Sequence, residues 1–306
     1  MGVMNKTFAF DDIALISVTY NSAHLAEDFA KTACMFRNVW IVDNDSKDNT
    51  TLFFQRFIAH AKIISQPKNI GFGPANNVGF KASLGTCRMA LFLNPDCFIE
   101  KNSIRLLIEI LEKYPEAAIA SPIVFSKMTH GANLKFRNYS SGYLESNTQS
   151  LQYSSDLPEI IKEACLDGAC FLVNSKKFES MGAFDEELFM YSEEDDISMR
   201  TQLKGYSKIT ARDAHAQHLG GASSTMTLKI ELRKKYHQRW SSYYMINKYK
   251  SSSRRLLSVL KTLIVAPPAI MLYSLTAQKK HLLKWVAWTF AALDGIFMSK
   301  IFRKIL

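Results

Sequence analysis

Cysteine is scarce in this 306-residue sequence, and the five present (Cys34, Cys87, Cys97, Cys165 and Cys170) include no CxxC pair. An odd number without paired spacing offers neither a disulfide framework nor a cysteine zinc site, so a reducing compartment is expected. Thirteen glycines and eight prolines are too few for a collagenous or low-complexity chain. The start, MGVMNKTFAFDD, has no apolar h-region and no small-residue cleavage site, which argues against export by that route. Long apolar runs are missing too: the longest uncharged stretch, Thr262 to Gln278, has 17 residues and contains Pro267-Pro268. A spanning helix needs about 20 mostly apolar residues, so a clean transmembrane segment is not expected. Finally, acid is nearly absent from the last quarter. After residue 228 there are 16 basic and 2 acidic residues, against 22 and 26 before it, so the net charge of +10 divides into −4 and +14.

What remains is a globular composition, 47% hydrophobic and 22% charged, long enough for one large domain or two small ones. Short β-branched runs alternate with helical stretches: Ile13 to Tyr20, Ala23 to Cys34, Val39 to Val42, Thr51 to Ala61, Lys62 to Ser65, Ala75 to Leu84 and Met89 to Leu93. This order predicts βαβ units, hence an α/β fold with a mainly parallel sheet. Ligands of such sheets sit beyond the carboxyl ends of the strands. Three polar clusters fall there and are expected to face one crevice: Thr19-Tyr20-Asn21-Ser22, Asp43-Asn44-Asp45-Ser46 and Asn94-Pro95-Asp96. A further helix is predicted over Ser103 to Lys113, a long surface loop or hairpin over Asn133 to Asp156, and a strand over Ala169 to Val173.

Several constellations can carry chemistry, and each has a plainer reading. Asp96 at a strand end could hold a hard divalent cation whose shell is completed by phosphate and water, or Asn94-Pro95-Asp96 could be only a turn. Glu193-Glu194-Asp195-Asp196 follows the apolar Leu188-Phe189-Met190-Tyr191, so a carboxylate held against apolar surface would suit a general base. The same cluster could instead be a helix start capped by Ser192, with Asp195 in a capping-box spacing. His218 before Gly220-Gly221 is preferred over His215 as a ligand; a lone histidine is otherwise a structural hydrogen-bonding residue. Gly71-Phe72-Gly73-Pro74-Ala75-Asn76 departs from the dinucleotide fingerprint at its sixth position and reads better as a loop into a helix that can wrap a nucleotide.

Taken in order, these pieces resemble a family 2 glycosyltransferase of the GT-A fold, most like bacterial rhamnosyltransferase-type members. The landmarks are Val18-Thr19-Tyr20-Asn21-Ser22, Val42-Asp43-Asn44-Asp45-Ser46, Asn69-Ile70-Gly71-Phe72, Ala75-Asn76-Asn77, Leu93-Asn94-Pro95-Asp96, Asp167-Gly168-Ala169, Gly182 to Glu186, Phe189 to Asp196 and His218. The resemblance covers about residues 13 to 225. It implies a Rossmann-like nucleotide-sugar-binding domain over residues 1–228, with Asp43 at the nucleobase and Thr19 and Tyr20 lining its site. Asn69, Phe72, Asn76 and Asn94 would shape the sugar-nucleotide pocket. Asp96 and His218 would bind Mg²⁺ or Mn²⁺ on the diphosphate. Glu194 maps to the family's general base, although this chain has Glu rather than Asp there and the extra acid Asp195 next to it, which keeps Glu193 and Asp196 open as alternatives. The implied reaction is inverting transfer of a sugar, rhamnose by likeness, from a nucleoside-diphosphate-sugar donor to a saccharide or polyprenyl-diphosphate-linked acceptor of a bacterial surface polysaccharide.

The resemblance ends before residues 229–306, where Arg233, Lys234, Lys235 and Arg239 interleave with Tyr236, Trp240, Tyr243 and Tyr244, and Trp285 and Trp288 follow. No nucleic-acid motif accompanies the charge. The pattern predicts a basic amphipathic helical extension lying on an anionic membrane, peripheral on the cytoplasmic face, with a packed cap or a dimer interface as the alternative. Two other functions compete. A sugar-phosphate nucleotidyltransferase would carry a glycine-rich basic loop after the first strand, where Thr19-Tyr20-Asn21-Ser22 stands; a non-catalytic nucleotide-sugar-binding protein would not need Asp96, Glu194 and His218 together.

Overall fold

The computed structural model describes residues 9–126, 133–137, 148–162, 165–220 and 227–302. The first half alternates as read: β1 (Phe10–Thr19), a 3-10 turn, α1 (Ala26–Ala33), β2 (Phe36–Asp43), α2 (Thr50–Phe57), β3 (Lys62–Ser65), α3 (Phe72–Ser83) and β4 (Met89–Leu93). All pairings among these strands are parallel, with β1 between β2 and β4 and with β3 outside β2. Every residue of β4 is buried, as expected for an apolar run covered on both faces.

The second half contributes β5 (Cys97–Ile99), α4 (Lys101–Lys113), β6 (Ala117–Ser126), β7 (Asn133–Arg137), β8 (Thr148–Gln152), β9 (Ile160–Ile161), β10 (Cys170–Asn174), α5 (Ser175–Ser180), α6 (Glu193–Leu203) and β11 (Ser207–His218). The sheet runs β3-β2-β1-β4-β10-β6-β11-β5, with β9 on β11. Here it becomes mixed, because β10 is antiparallel to both β4 and β6 while β6 and β11 are parallel. Within the long surface loop or hairpin expected over Asn133 to Asp156, β7 and β8 pair antiparallel; residues 138–147 lie outside the described residues.

Side chains alternate along β1 between two apolar layers, as the period of 2 requires. Ile13 and Leu15 pack with Phe29, Phe54 and Leu107 beneath α1, α2 and α4. Ala14 and Ile16 pack with Phe80, Phe178 and Ile197 beneath α3, α5 and α6.

The basic extension forms α7 (Leu228–Tyr249), α8 (Ser252–Leu275) and α9 (Lys279–Phe297). They share a core of Tyr236, Trp240, Tyr243, Val259, Ala287 and Ala291. Buried Asp294 ties it down, accepting from the Tyr236 hydroxyl at 2.6 Å and from the Ser299 hydroxyl at 2.7 Å. Helix α7 also docks on the α/β body. Lys248 pairs with Asp185 at 2.6 Å and with Asp196 at 2.5 Å, Tyr244 donates to Asp185 at 2.8 Å, and Lys300 pairs with Glu187 at 2.5 Å. Part of the positive charge of the extension is therefore spent on acids of the body, as in the packed-cap alternative.

Contrary to the sequence expectation, α8 continues through Pro267-Pro268. The two prolines forgo amide bonds to the carbonyls of Leu263 and Ile264 without ending the helix. Among the described residues it is the one helix long and apolar enough, by length and composition, to cross a membrane, and only 17% of its most apolar window is buried. Leu257, Leu260, Ile264, Met271 and Leu275 are exposed at helical spacing along one side.

Candidate active site

The loops after β1, β2 and β4 meet at one cleft, as the strand-end argument requires. Tyr20, Ser22, Asn44, Asn69, Phe72, Asn94 and Asp96 line a cavity of about 170 Å³. Backbone geometry aims these loops, for Asn21 and Asp45 both take left-handed φ, 52° and 72°. Polar side chains then lace them together. Asn21 N–H donates to Ser46 Oγ at 2.9 Å, and Ser22 N–H to Thr50 Oγ1 at 2.7 Å. Asp43 is buried beneath, accepting from Thr19 Oγ1 at 3.4 Å and from Ser46 N–H at 3.2 Å.

Asn44 has a part that its sequence position alone did not disclose. Its Oδ1 accepts from Ile70 N–H at 2.9 Å, while its Nδ2 donates to Asn69 Oδ1 at 3.2 Å and to the Gly71 carbonyl at 3.1 Å. This fastens the Asn69–Phe72 loop to the end of β2. Gly71 closes the loop at φ 102°, and a Cβ there would stand 2.5 Å from the Phe189 carbonyl oxygen, so only glycine fits. Phe72 N–H then donates to that carbonyl at 2.8 Å. Asn76 is different: it is buried within α3, donates to the Phe72 carbonyl at 3.1 Å, and is not among the residues lining the cavity.

Asp96 is buried, and its Oδ1 lies 3.2 Å from His218 Nε2. Asp96 immediately precedes β5 and His218 ends β11, and the two meet because β5 pairs antiparallel with β11 and puts His218 opposite Cys97. The hydrogen bond to Asp96 raises the proton affinity of His218 against the opposing effect of burial. His215, three residues away and so on the other face of β11, instead stands 3.2 Å from the Tyr153 hydroxyl and edge-on to Phe125. Gly221 lies outside the described residues. One carboxylate oxygen and one imidazole nitrogen at this separation suit neighbouring positions on a divalent cation with ligands at about 2.1 Å. Among the described residues no third His, Cys, Asp or Glu joins them, leaving the rest of a shell to phosphate and water.

The acidic cluster opens α6. Tyr191 and Ser192 both take left-handed φ, 73° and 69°, a strained pair for residues with side chains. Ser192 occupies the cap position but makes no side-chain cap hydrogen bond, so the capping-box reading does not hold. The four acids diverge in role. Asp196 is buried and held by Arg200, Lys248 and the Tyr249 hydroxyl, the last at 2.6 Å. Glu193 is buried next to Gly73, and burial pushes its carboxyl well above the usual range. Glu194 is half-buried, with its carboxylate against Gly168, where a Cβ would overlap Oε1. Burial, with Asp167 and Asp195 adding like charge, pushes it up to about 7. Asp167 also acts electrostatically on His218, which puts Glu194 and His218 within reach of one carboxylate. The Asp167-Gly168-Ala169 landmark thus has a physical content: an acid that tunes Glu194 and a glycine that makes room for it.

Two further lining residues come from later in the chain. Met190 precedes the strained turn, and Lys234 belongs to α7. Basic spacing in the extension was visible in the sequence, but its approach to this cleft was not.

The sequence model of glycosyl transferase family 2 matches residues 15–182. Among curated proteins, the N-acetylglucosaminyl-diphospho-decaprenol L-rhamnosyltransferase of Mycobacterium tuberculosis is 22% identical over 234 residues, covering 68% of this chain and 76% of that protein. The low-salt glycan biosynthesis hexosyltransferase Agl10 of Haloferax volcanii is 26% identical over 197 residues, covering 63% and 62%. Among solved structures, the mannosyltransferase PcManGT of Pyrobaculum calidifontis, in complex with GDP-Man and Mn²⁺, has a TM-score of 0.53 at 12% identity, covering 94% of this chain and 87% of that one. GalNAc-T7 with UDP, GalNAc and Mn²⁺ has a TM-score of 0.51 at 14% identity; the match covers 78% of this chain and about half, 51%, of that one. The fold is therefore of the GT-A type, and with more than half its length matched the chain belongs to glycosyl transferase family 2.

Proposed function

We propose that this chain transfers a hexose, with inversion, from a nucleoside-diphosphate-sugar to a saccharide or polyprenyl-diphosphate-linked acceptor in cell-surface polysaccharide synthesis. The observation that supports this reading is the buried Asp96–His218 pair, with Asp96 lining a cleft beside Tyr20, Asn44 and Asn69, and a base-like Glu194 that shares with His218 the influence of Asp167. Rhamnose is the first donor sugar to test, since the mycobacterial relative is named a rhamnosyltransferase.

In this reading Asp43, Thr19 and Tyr20 form the nucleobase end of the donor site, and Asn69, Phe72 and Asn94 its sugar-diphosphate end. Asn76 acts from behind, by holding the Phe72 carbonyl. Asp96 and His218 would hold Mg²⁺ or Mn²⁺, which when bound neutralises charge on the departing diphosphate. Glu194 accepts the proton of the acceptor hydroxyl at its carboxylate, and its raised proton affinity suits that task near neutral pH. Apolar Phe72 and Met190 at the cleft exclude water, the competing acceptor.

The exposed apolar side of α8, with Arg254, Lys261, Lys279 and Lys280 along and beyond it, supports docking of the extension on the anionic cytoplasmic face of a membrane, where a lipid-linked acceptor would be met. A donor screen with purified protein, reading released nucleoside diphosphate with and without Mn²⁺ or Mg²⁺, tests the reaction. Turnover of at least one nucleoside-diphosphate-sugar is expected; release from none, with any acceptor extract, refutes it.

A further inference from the structure

Helix α7 begins beyond the residues matched by the family and reaches back to the cleft. Lys234 lines the same cavity as Asp96, Asn94 and Tyr20. Its neighbour Arg233 lies over the Phe189 ring, 4.7 Å from guanidinium carbon to centroid, and within electrostatic range of the Tyr20 side chain. Burial works against the positive charge of Arg233, and its Nε is enclosed with no hydrogen-bond partner among the described residues. A cation kept half-buried beside a cleft with an unused donor is costly unless an anion completes it. The position is held firmly: Phe189 stacks on His237 of the same helix at 4.4 Å, and Ser241 of α7 donates to the Met190 carbonyl at 2.9 Å.

We infer that Arg233 and Lys234 of α7 are the diphosphate-binding edge of the donor site, facing the Asp96–His218 edge across the cleft. This rests on the donor reading above and deepens it. The charge fits: Asp96 lines the cleft and Asp167 acts on both His218 and Glu194, while a nucleoside diphosphate brings several negative charges of its own and needs donors on more than one side. Arginine and lysine supply them, and as the glycosidic bond breaks they bind most tightly the oxygen on which charge develops. The extension is then part of the catalytic site, and a chain ending near Leu228 would lose donor binding along with its last three helices.

The test is isothermal titration of the full chain with UDP, GDP and dTDP, each in Mn²⁺, alongside the matching monophosphates and farnesyl diphosphate in detergent as a lipid-diphosphate probe. The variants are Lys234→Met and Arg233→Met, with Arg233→Lys to retain charge and Lys229→Met, an exposed cation at the start of α7, as a control. Thermal unfolding of each variant checks folding. For the nucleoside diphosphate that binds best, the two methionine variants are expected to lose about tenfold to a hundredfold in affinity, the scale of a charge-assisted hydrogen bond. The monophosphates should change by less than about threefold, Arg233→Lys should recover part of the loss, and Lys229→Met should match wild type. Unchanged diphosphate affinity in both folded methionine variants overturns this inference alone. A loss confined to farnesyl diphosphate overturns it by moving the cations to the acceptor. Failure of the wild-type chain to bind any nucleoside diphosphate overturns the donor reading and this inference together.

Discussion

Replacing Glu194 by glutamine keeps the shape of the side chain and removes its ability to accept a proton. Burial and the neighbouring Asp167 and Asp195 raise its carboxyl from 4.5 to about 7. A general base works only when ionised, so the wild-type rate should fall about tenfold per pH unit below 7 and level off above it. In Glu194→Gln donor affinity should persist, transfer should drop by about 10²- to 10⁴-fold, and the remaining rate should lose its dependence on pH near 7. The same shift has a consequence for stability. The folded chain holds this proton more tightly than the unfolded chain, so the contribution is complete below about pH 4.5 and is lost as pH rises through about 7. At about 1.4 kcal/mol per pH unit the ceiling is roughly 3 kcal/mol, and for a half-buried group about 1–2 kcal/mol is expected. Glu194→Gln should therefore be more stable than wild type by that amount at pH 8.5 and equal to it near pH 4.5, measured by urea unfolding. Transfer that survives with a wild-type pH profile, or an equal stability difference at both pH values, would refute the reasoning.

Asp96→Ala should nearly abolish metal-stimulated transfer and weaken Mn²⁺-dependent donor binding; undiminished transfer in excess chelator would remove the Asp96–His218 pair from the chemistry. Gly168→Ala would force its Cβ into Glu194 Oε1, so kcat should fall by about tenfold or more while nucleoside diphosphate affinity holds, an effect of misplacement by about 1 Å that paired binding and rate measurements separate. Gly71→Ala should destabilise the fold by about 2 kcal/mol or more, because a φ of 102° and a carbonyl 2.5 Å from the new Cβ leave no room to adjust; an unchanged urea midpoint would contradict that. The full chain should sediment with anionic vesicles and be only partly released by high salt, while Ile264→Asp, on the exposed side of α8, should lower the salt-resistant fraction. Equal binding to neutral and anionic vesicles would argue against the electrostatic share, and no binding at all against membrane docking.

The parts of this protein legible in its sequence are those governed by local periodicity and by loop chemistry. Strands β3 and β4 fall at the predicted residues because β-branched and apolar runs bounded by polar turns have one local solution, and βαβ order dictates that their ends share a crevice. Tyr20, Asn94 and Asp96 share one cleft on that ground, whereas Asn69 was expected there only from the family resemblance. Strands β6 and β11 went unread, since their positions depend on pairing between segments about 90 residues apart. Tertiary contact also separated residues that look equivalent in a run of four acids. Asp196 meets Lys248 and Tyr249 of α7, Glu193 is enclosed beside Gly73, and Glu194 finds the space that Gly168 leaves. A helix alone could not divide them so, because the partners come from three separate stretches of chain.

The composition break at residue 228 coincides with the start of α7, for charge and helical pattern are properties of the chain itself. Which cations go to the acids of the body, which turn toward the cleft and which stay in solvent is decided by how α7 packs. The stacking of Phe189 on His237 and the seat of Ser241 beneath Met190 fix that helix against the site. The continuity of α8 through Pro267-Pro268 is likewise a result of the folded chain: local propensity predicts a break there, and the helix continues without the two amide bonds.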